Sequence, residues 1–94
     1  MRINMKILYI RDNDLYFKEE DGKILVLKKN KKEIVELNEV GSLIWKALKT
    51  KKSIDALVKK INSAFEGADS KEVKKDVEEF ILKCLKDSII EKIN

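Results

Sequence analysis

Histidine and proline are absent from this 94-residue chain, cysteine occurs once and glycine three times. Without histidine, and with Cys84 alone, most zinc-ligand sets, every serine– or cysteine–histidine pair and the commonest general base are excluded. Gly22, Gly41 and Gly67 form neither a Gly-x-Gly-x-x-Gly run nor a phosphate-cradling loop. No motif points to an enzyme built from carboxylates and lysines, so a non-catalytic protein with no metal and no cofactor is expected. Cys84 has no partner for an intrachain disulfide, which suits a reducing compartment. No apolar run approaches the ~20 residues of a membrane span. The opening Met1-Arg2-Ile3-Asn4-Met5-Lys6 lacks the apolar core and small-residue cleavage site of a signal peptide. A cytoplasmic location, away from membranes, is expected. No proline-rich linker, low-complexity tract or internal repeat divides the chain, and its length suits one domain spanning 1–94.

What is present is charge and aliphatic bulk: 40% of residues are charged and 44% apolar, with a net charge of +4. Residues 1–52 hold 13 Lys/Arg against 8 Asp/Glu, whereas residues 53–94 hold 8 against 9. The basic excess therefore lies in the first half, in Lys28, Lys29, Lys31 and Lys32 and again in Lys46, Lys49, Lys51 and Lys52. Such a run has two readings: a solvated hairpin tip that resists edge-to-edge aggregation, or an attraction for an acidic partner.

The pattern predicts an α+β fold: a three-stranded antiparallel sheet, three helices forming a winged helix-turn-helix, and a short terminal strand. Residues 1–10 read as an N-terminal extended segment, with Lys6 to Ile10 as its strand-like part, followed by a turn at Arg11 to Asp14. Strands are expected at 15–19, 23–28 and 33–37. The middle one is apolar on both faces and so suits a strand covered on both sides. In the third, Val35 and Leu37 share one face and Ile34 and Glu36 the other. Asn38 is placed to cap helix one, from about 38 to 49, and Leu37 to pack back on it as a staple. Val40, Leu43, Ile44 and Leu48 make its buried stripe, with Trp45 alongside as core or groove wall. Ser53 caps helix two, whose Ile54, Leu57, Val58, Ile61 and Phe65 keep helical spacing up to Gly67. Ser70 caps helix three, which runs to about Lys86 and gathers Val73, Val77, Phe80, Ile81, Cys84 and Leu85 on one face. Cys84 there reads as a small core residue and Leu82 as off-face. Ile89 to Ile93 supplies the terminal strand.

Several of these residues carry a family resemblance. Asp21-Gly22 before an aliphatic strand, a strand ending in Leu37-Asn38, then Gly41 and Ile44-Trp45, resemble the PqqD-type family. Ser53-Ile54-Asp55-Ala56-Leu57 is similar to the start of its second helix. Glu72 to Ile81, with Leu85 and Ile89-Ile90, is similar to its third helix and closing segment. The likeness covers about residues 11–93. It implies a RiPP precursor recognition element, which binds the leader segment of a ribosomally made precursor peptide. That peptide would be presented to a maturation enzyme: a radical-SAM maturase, a leader peptidase or a cyclodehydratase. In the family the leader adds as an antiparallel strand beside the third sheet strand, in a groove walled by the third helix. By that match Ile34, Val35 and Glu36 form the edge, and Val73, Asp76, Val77, Phe80 and Lys83 the groove wall. Val77 and Phe80 read equally well as pure core. The turn Lys28-Lys29-Asn30-Lys31-Lys32 departs from the family, which often has glycine there. An open edge at 33–37 independently favours strand addition, and it also permits self-pairing into a homodimer.

A DNA-binding winged helix is the alternative. Its reading helix would be 70–87, with five lysines against five acidic residues and no arginine or glutamine. Phosphate neutralisation needs a positive surface, so nucleic acid is an unfavoured partner.

Overall fold

The computed structural model describes residues 7–93. Along the chain come β1 (Leu8–Arg11), β2 (Phe17–Glu20), β3 (Lys23–Leu27), β4 (Ile34–Leu37), α1 (Glu39–Ala47), α2 (Ile54–Ala64), α3 (Ser70–Lys86) and β5 (Ile90–Ile93). The expected α+β order is present, with an antiparallel sheet β2-β3-β4. The terminal strand does not join that sheet. It pairs antiparallel with β1, Leu8 opposite Ile93 and Arg11 opposite Ile90, in a second sheet. The extended N-terminal segment is thus a strand as far as Arg11, and Met1 to Lys6 lie outside the described residues. Tyr9 also exchanges backbone bonds with Lys52 (2.8 and 2.9 Å), which ties this small sheet to the α1–α2 connection.

One hydrophobic cluster joins these layers, with Ile24 and Val26 of β3, Ile44, Trp45 and Leu48 around α1, Leu57 and Ile61 of α2, and Val77, Ile81 and Cys84 of α3. Three local expectations change. The first strand begins at Phe17 and not at 15, because Asp12 makes a turn: its carboxylate accepts from the Asp14 N–H at 3.0 Å. Leu15 drops into the core while Tyr16 stands exposed. β3 is central but covered on one face only: Ile24 and Val26 are buried, Leu25 and Leu27 half-buried on the other side. Asp69, not Ser70, caps α3, accepting from the Lys71 N–H at 2.9 Å. Leu82 is exposed. Asn38 and Ser53 cap α1 and α2 as expected. Among the described residues no helix is long and apolar enough to cross a membrane.

The lysine-rich turn closes without glycine. Lys31 takes a φ of 58°, a left-handed conformation that ordinarily favours glycine. Asn30 stabilises it, its side-chain oxygen accepting from the N–H groups of Lys32 and Glu33 at 2.9 and 3.1 Å. Arg11 ties β1 to the main body. Its guanidinium lies 4.7 Å from the Phe17 ring centroid and 5.4 Å from that of Trp45, and donates to the Trp45 carbonyl.

The joint between sheet and helices has a chemistry that the staple expectation misses. The fourth helical position after the cap is Ser42, so a hydrophobic staple cannot form there. Instead the buried Ser42 hydroxyl accepts from the Ile24 N–H at 2.8 Å and donates to the Leu37 carbonyl at 3.2 Å. Ile24 and Leu37 are register partners in the β3–β4 ladder, so the hydroxyl is inserted as a rung between them. Leu37 still buries its side chain in the core. Ser42→Ala leaves a buried donor and acceptor without partners and is expected to cost about 2 kcal/mol, read as a lower urea midpoint.

Candidate functional site

β4 is an edge strand, and the ladder determines which of its groups are free. Lys28 N–H donates to the Glu33 carbonyl at 2.9 Å. Hydrogen-bonded pairs alternate along an antiparallel ladder, so with Val26 opposite Val35 and Ile24 opposite Leu37, these two pairs face inward. The N–H and C=O groups of Ile34 and Glu36 therefore point along the open edge. Their side chains are also exposed, Ile34 at 65%. Val35 is half-buried against the core, and its own N–H belongs to the ladder. Of the three predicted edge residues, Ile34 and Glu36 offer backbone groups; Val35 sets the register.

α3 approaches this region at two points. At one end Lys28, at the base of the β3–β4 turn, approaches Asp87 at the α3 C-cap (3.9 Å). At the other, Gly41 in α1 lies against Phe80: a Cβ added to Gly41 would meet the ring edge at 2.6 Å. Only a glycine lets α1 approach α3 this closely. Between α1 and α3 lies a cavity of about 400 Å³ lined by Asn38, the residue that follows β4, and by Val40, Gly41, Ile44, Asp76, Glu79, Phe80 and Lys83.

The structure divides the predicted wall residues into two sets. Asp76, Phe80 and Lys83 line the cavity, Phe80 half-buried and the other two exposed. Val77 does not reach it: at 0% exposure it belongs to the core. Helical geometry explains this, since Val77 shares the inward stripe of Val73, Ile81 and Cys84 while Phe80 sits at its border. Val73 lines a neighbouring cavity instead. Val40, Gly41 and Glu79 line the cavity without having been expected there. Half-burial of Val40, at the rim of its own stripe, is the signal that a border position gives.

The carboxylates and lysines of this wall are solvent-exposed, and Cys84 is buried beneath them. The Cys84 thiol is pushed up to about 12, first by burial and then by the nearby Asp87 charge, with Lys83 opposing. Cys84 is therefore no nucleophile for the groove above it.

A family model described as "Coenzyme PQQ synthesis protein D (PqqD)" matches residues 23–90. That span runs from β3 to the start of β5 and includes both walls of the groove. The chain belongs to the PqqD family. No curated protein matches it. Among solved structures, it is similar to TbiB1 in complex with the TbiA(β) leader peptide, with a TM-score of 0.76 and 21% sequence identity over 87% of this chain and 94% of that one. At that identity the likeness speaks for a shared fold.

In this PqqD-family chain the Gly41–Phe80 contact is open to a double-mutant cycle. Gly41→Ala is expected to destabilise wild type by about 1–3 kcal/mol, and by less in a Phe80→Ala background, where the ring is gone. Equal costs in both backgrounds would show that the contact does not set the helix spacing. Cys84 predicts a pH dependence of the opposite sense to a carboxylate's. Its folded pKa is raised, so its contribution is complete below the unfolded thiol's value near 9 and is lost as pH rises toward 12. Stability of wild type should fall above pH 9 relative to Cys84→Ser, measured by urea titration at several pH values.

Proposed function

We propose that this chain is a non-catalytic RiPP recognition element. It binds the leader segment of a precursor peptide as an added strand on β4 and presents it to a separate maturation enzyme. The observation that carries the reading is the open edge of β4, with the backbone groups of Ile34 and Glu36 facing outward, on a strand that leads directly into Asn38 at the cavity over Phe80. An extended peptide pairs with such an edge through main-chain bonds that tolerate many sequences, and places alternate side chains in the neighbouring groove. Membership of the PqqD family supports this reading, as does a fold shared with a protein solved with a leader peptide.

Magnitudes indicate what the site requires. The two N–H and two C=O groups of the edge are worth about 1 kcal/mol each on pairing. One apolar side chain buried over Phe80 adds about 2 kcal/mol. Association costs at least about 4 kcal/mol, so strand pairing with a single anchor gives only weak binding. Useful affinity needs a second side chain held elsewhere along the groove. A DNA-reading role fits poorly: the helix that would enter the duplex turns Asp76 and Glu79 toward its groove, where they repel phosphate.

The test uses labelled synthetic peptides that tile the leader of a candidate precursor peptide, titrated by fluorescence anisotropy. Glu36→Pro removes an outward N–H and should leave the fold intact while weakening binding tenfold or more. Val35→Pro removes a ladder donor and should instead lower stability by about 1–3 kcal/mol. Undiminished affinity in a folded Glu36→Pro protein would refute strand addition at β4.

A further inference from the structure

The cavity over Phe80 does not end at Asp76. Val40 and Asp76 also line a second cavity of about 210 Å³, so the two are continuous along one wall of the groove. Ile61, Phe65 and Val73 make the second cavity apolar, and its α3 side is rimmed by Asp69, Glu72 and Asp76. These carboxylates lie three and four residues apart, on one stripe of the helix. None of them has an ion-pair partner among the described residues. The helix N-terminus contributes about half a positive charge there, which three carboxylates outweigh. At the opposite end of the groove the sign reverses, with Lys83 on the wall and Lys31 and Lys32 in the turn before Ile34.

We propose that this second cavity takes a lysine or arginine side chain of the bound peptide, its aliphatic stem among Val40, Phe65 and Val73 and its cation at Glu72 and Asp76. The assignment rests on the peptide-binding reading above and supplies the second anchor that the energetics require. An apolar hole with a carboxylate rim matches a long side chain with an apolar stem and a charged tip. A purely aliphatic side chain would fill the hole and leave the rim charges unused. β4 runs from the lysine turn toward α1, so an antiparallel peptide enters at the carboxylate end and leaves at the lysine end. The peptide it selects therefore carries its basic residue before the strand-forming stretch and acidic residues after it. Direction of binding is set by this charge gradient as well as by the edge bonds.

A bead-displayed library of random twelve-residue peptides, selected on the full chain, tests both levels. Lys or Arg enriched ahead of an alternating apolar stretch, with Asp or Glu behind it, is the expected result. Binders with no charge bias, or the reverse bias, overturn this assignment and leave strand addition standing. A library that yields no binder overturns the peptide-binding reading itself. For a selected peptide, replacing the basic residue by norleucine keeps the stem and removes the charge. That change should weaken binding to wild type about three- to fivefold, the effect of one exposed ion pair, and should restore binding to Asp76→Lys. Equal affinity of both peptides for both proteins would show that the rim plays no part.

Discussion

A buried hydroxyl fixes the joint between the sheet and the helices of this protein. Ser42 sits in the first turns of α1, yet its oxygen occupies a rung of the β3–β4 ladder, accepting from Ile24 and donating to Leu37. Sheet and helix thereby share a hydrogen-bond network, and the angle at which α1 leaves β4 is restrained by chemistry at the joint. Buried polar groups hold a fold in one arrangement because any other leaves them unpaired. The groove inherits this restraint: α1 places Gly41, Gly41 admits Phe80, and Phe80 lines the cavity between α1 and α3.

The groove is built with division of labour along each wall. On β4 the inward groups of Val35 and Leu37 keep the ladder, while those of Ile34 and Glu36 face outward. On α3, Val73, Val77, Ile81 and Cys84 anchor the helix, Phe80 lies at the border, and Asp76 and Lys83 stand at the rim. Anchoring and recognition therefore fall on neighbouring positions of the same elements. Rigid elements hold a recognition surface better than loops do, because their own packing fixes each side chain's direction. The arrangement suits the peptide-holding role proposed above.

Much of this was legible in the residues. Asn38 and Ser53 are side-chain caps wherever they precede an apolar-periodic run, and the stripe on α3 identifies its inward face without any contact list. The alternation along β4 already put Ile34 and Glu36 on one face and Val35 and Leu37 on the other. Misreadings share a cause. Leu15 and Tyr16 look like strand residues, but the Asp12 turn displaces the strand by two positions. Val77 and Phe80 look equivalent on a helical wheel, yet a few tens of degrees of rotation separate a core residue from a groove floor. The Lys31 turn closes without glycine because Asn30 supplies the bonds that hold the left-handed residue.

Sequence by itself determined the order of elements, the caps of α1 and α2, the apolar faces and the absence of histidine-based chemistry, since these depend on residue type and spacing within one segment. Only the tertiary structure decided that β5 pairs with β1, that Ser42 bridges two strands, and that the open groups of β4 belong to Ile34 and Glu36. Each of those rests on register or on contact between segments far apart in the chain. Register follows from where a turn closes, and contact follows from how faces pack, so neither is written in any local pattern.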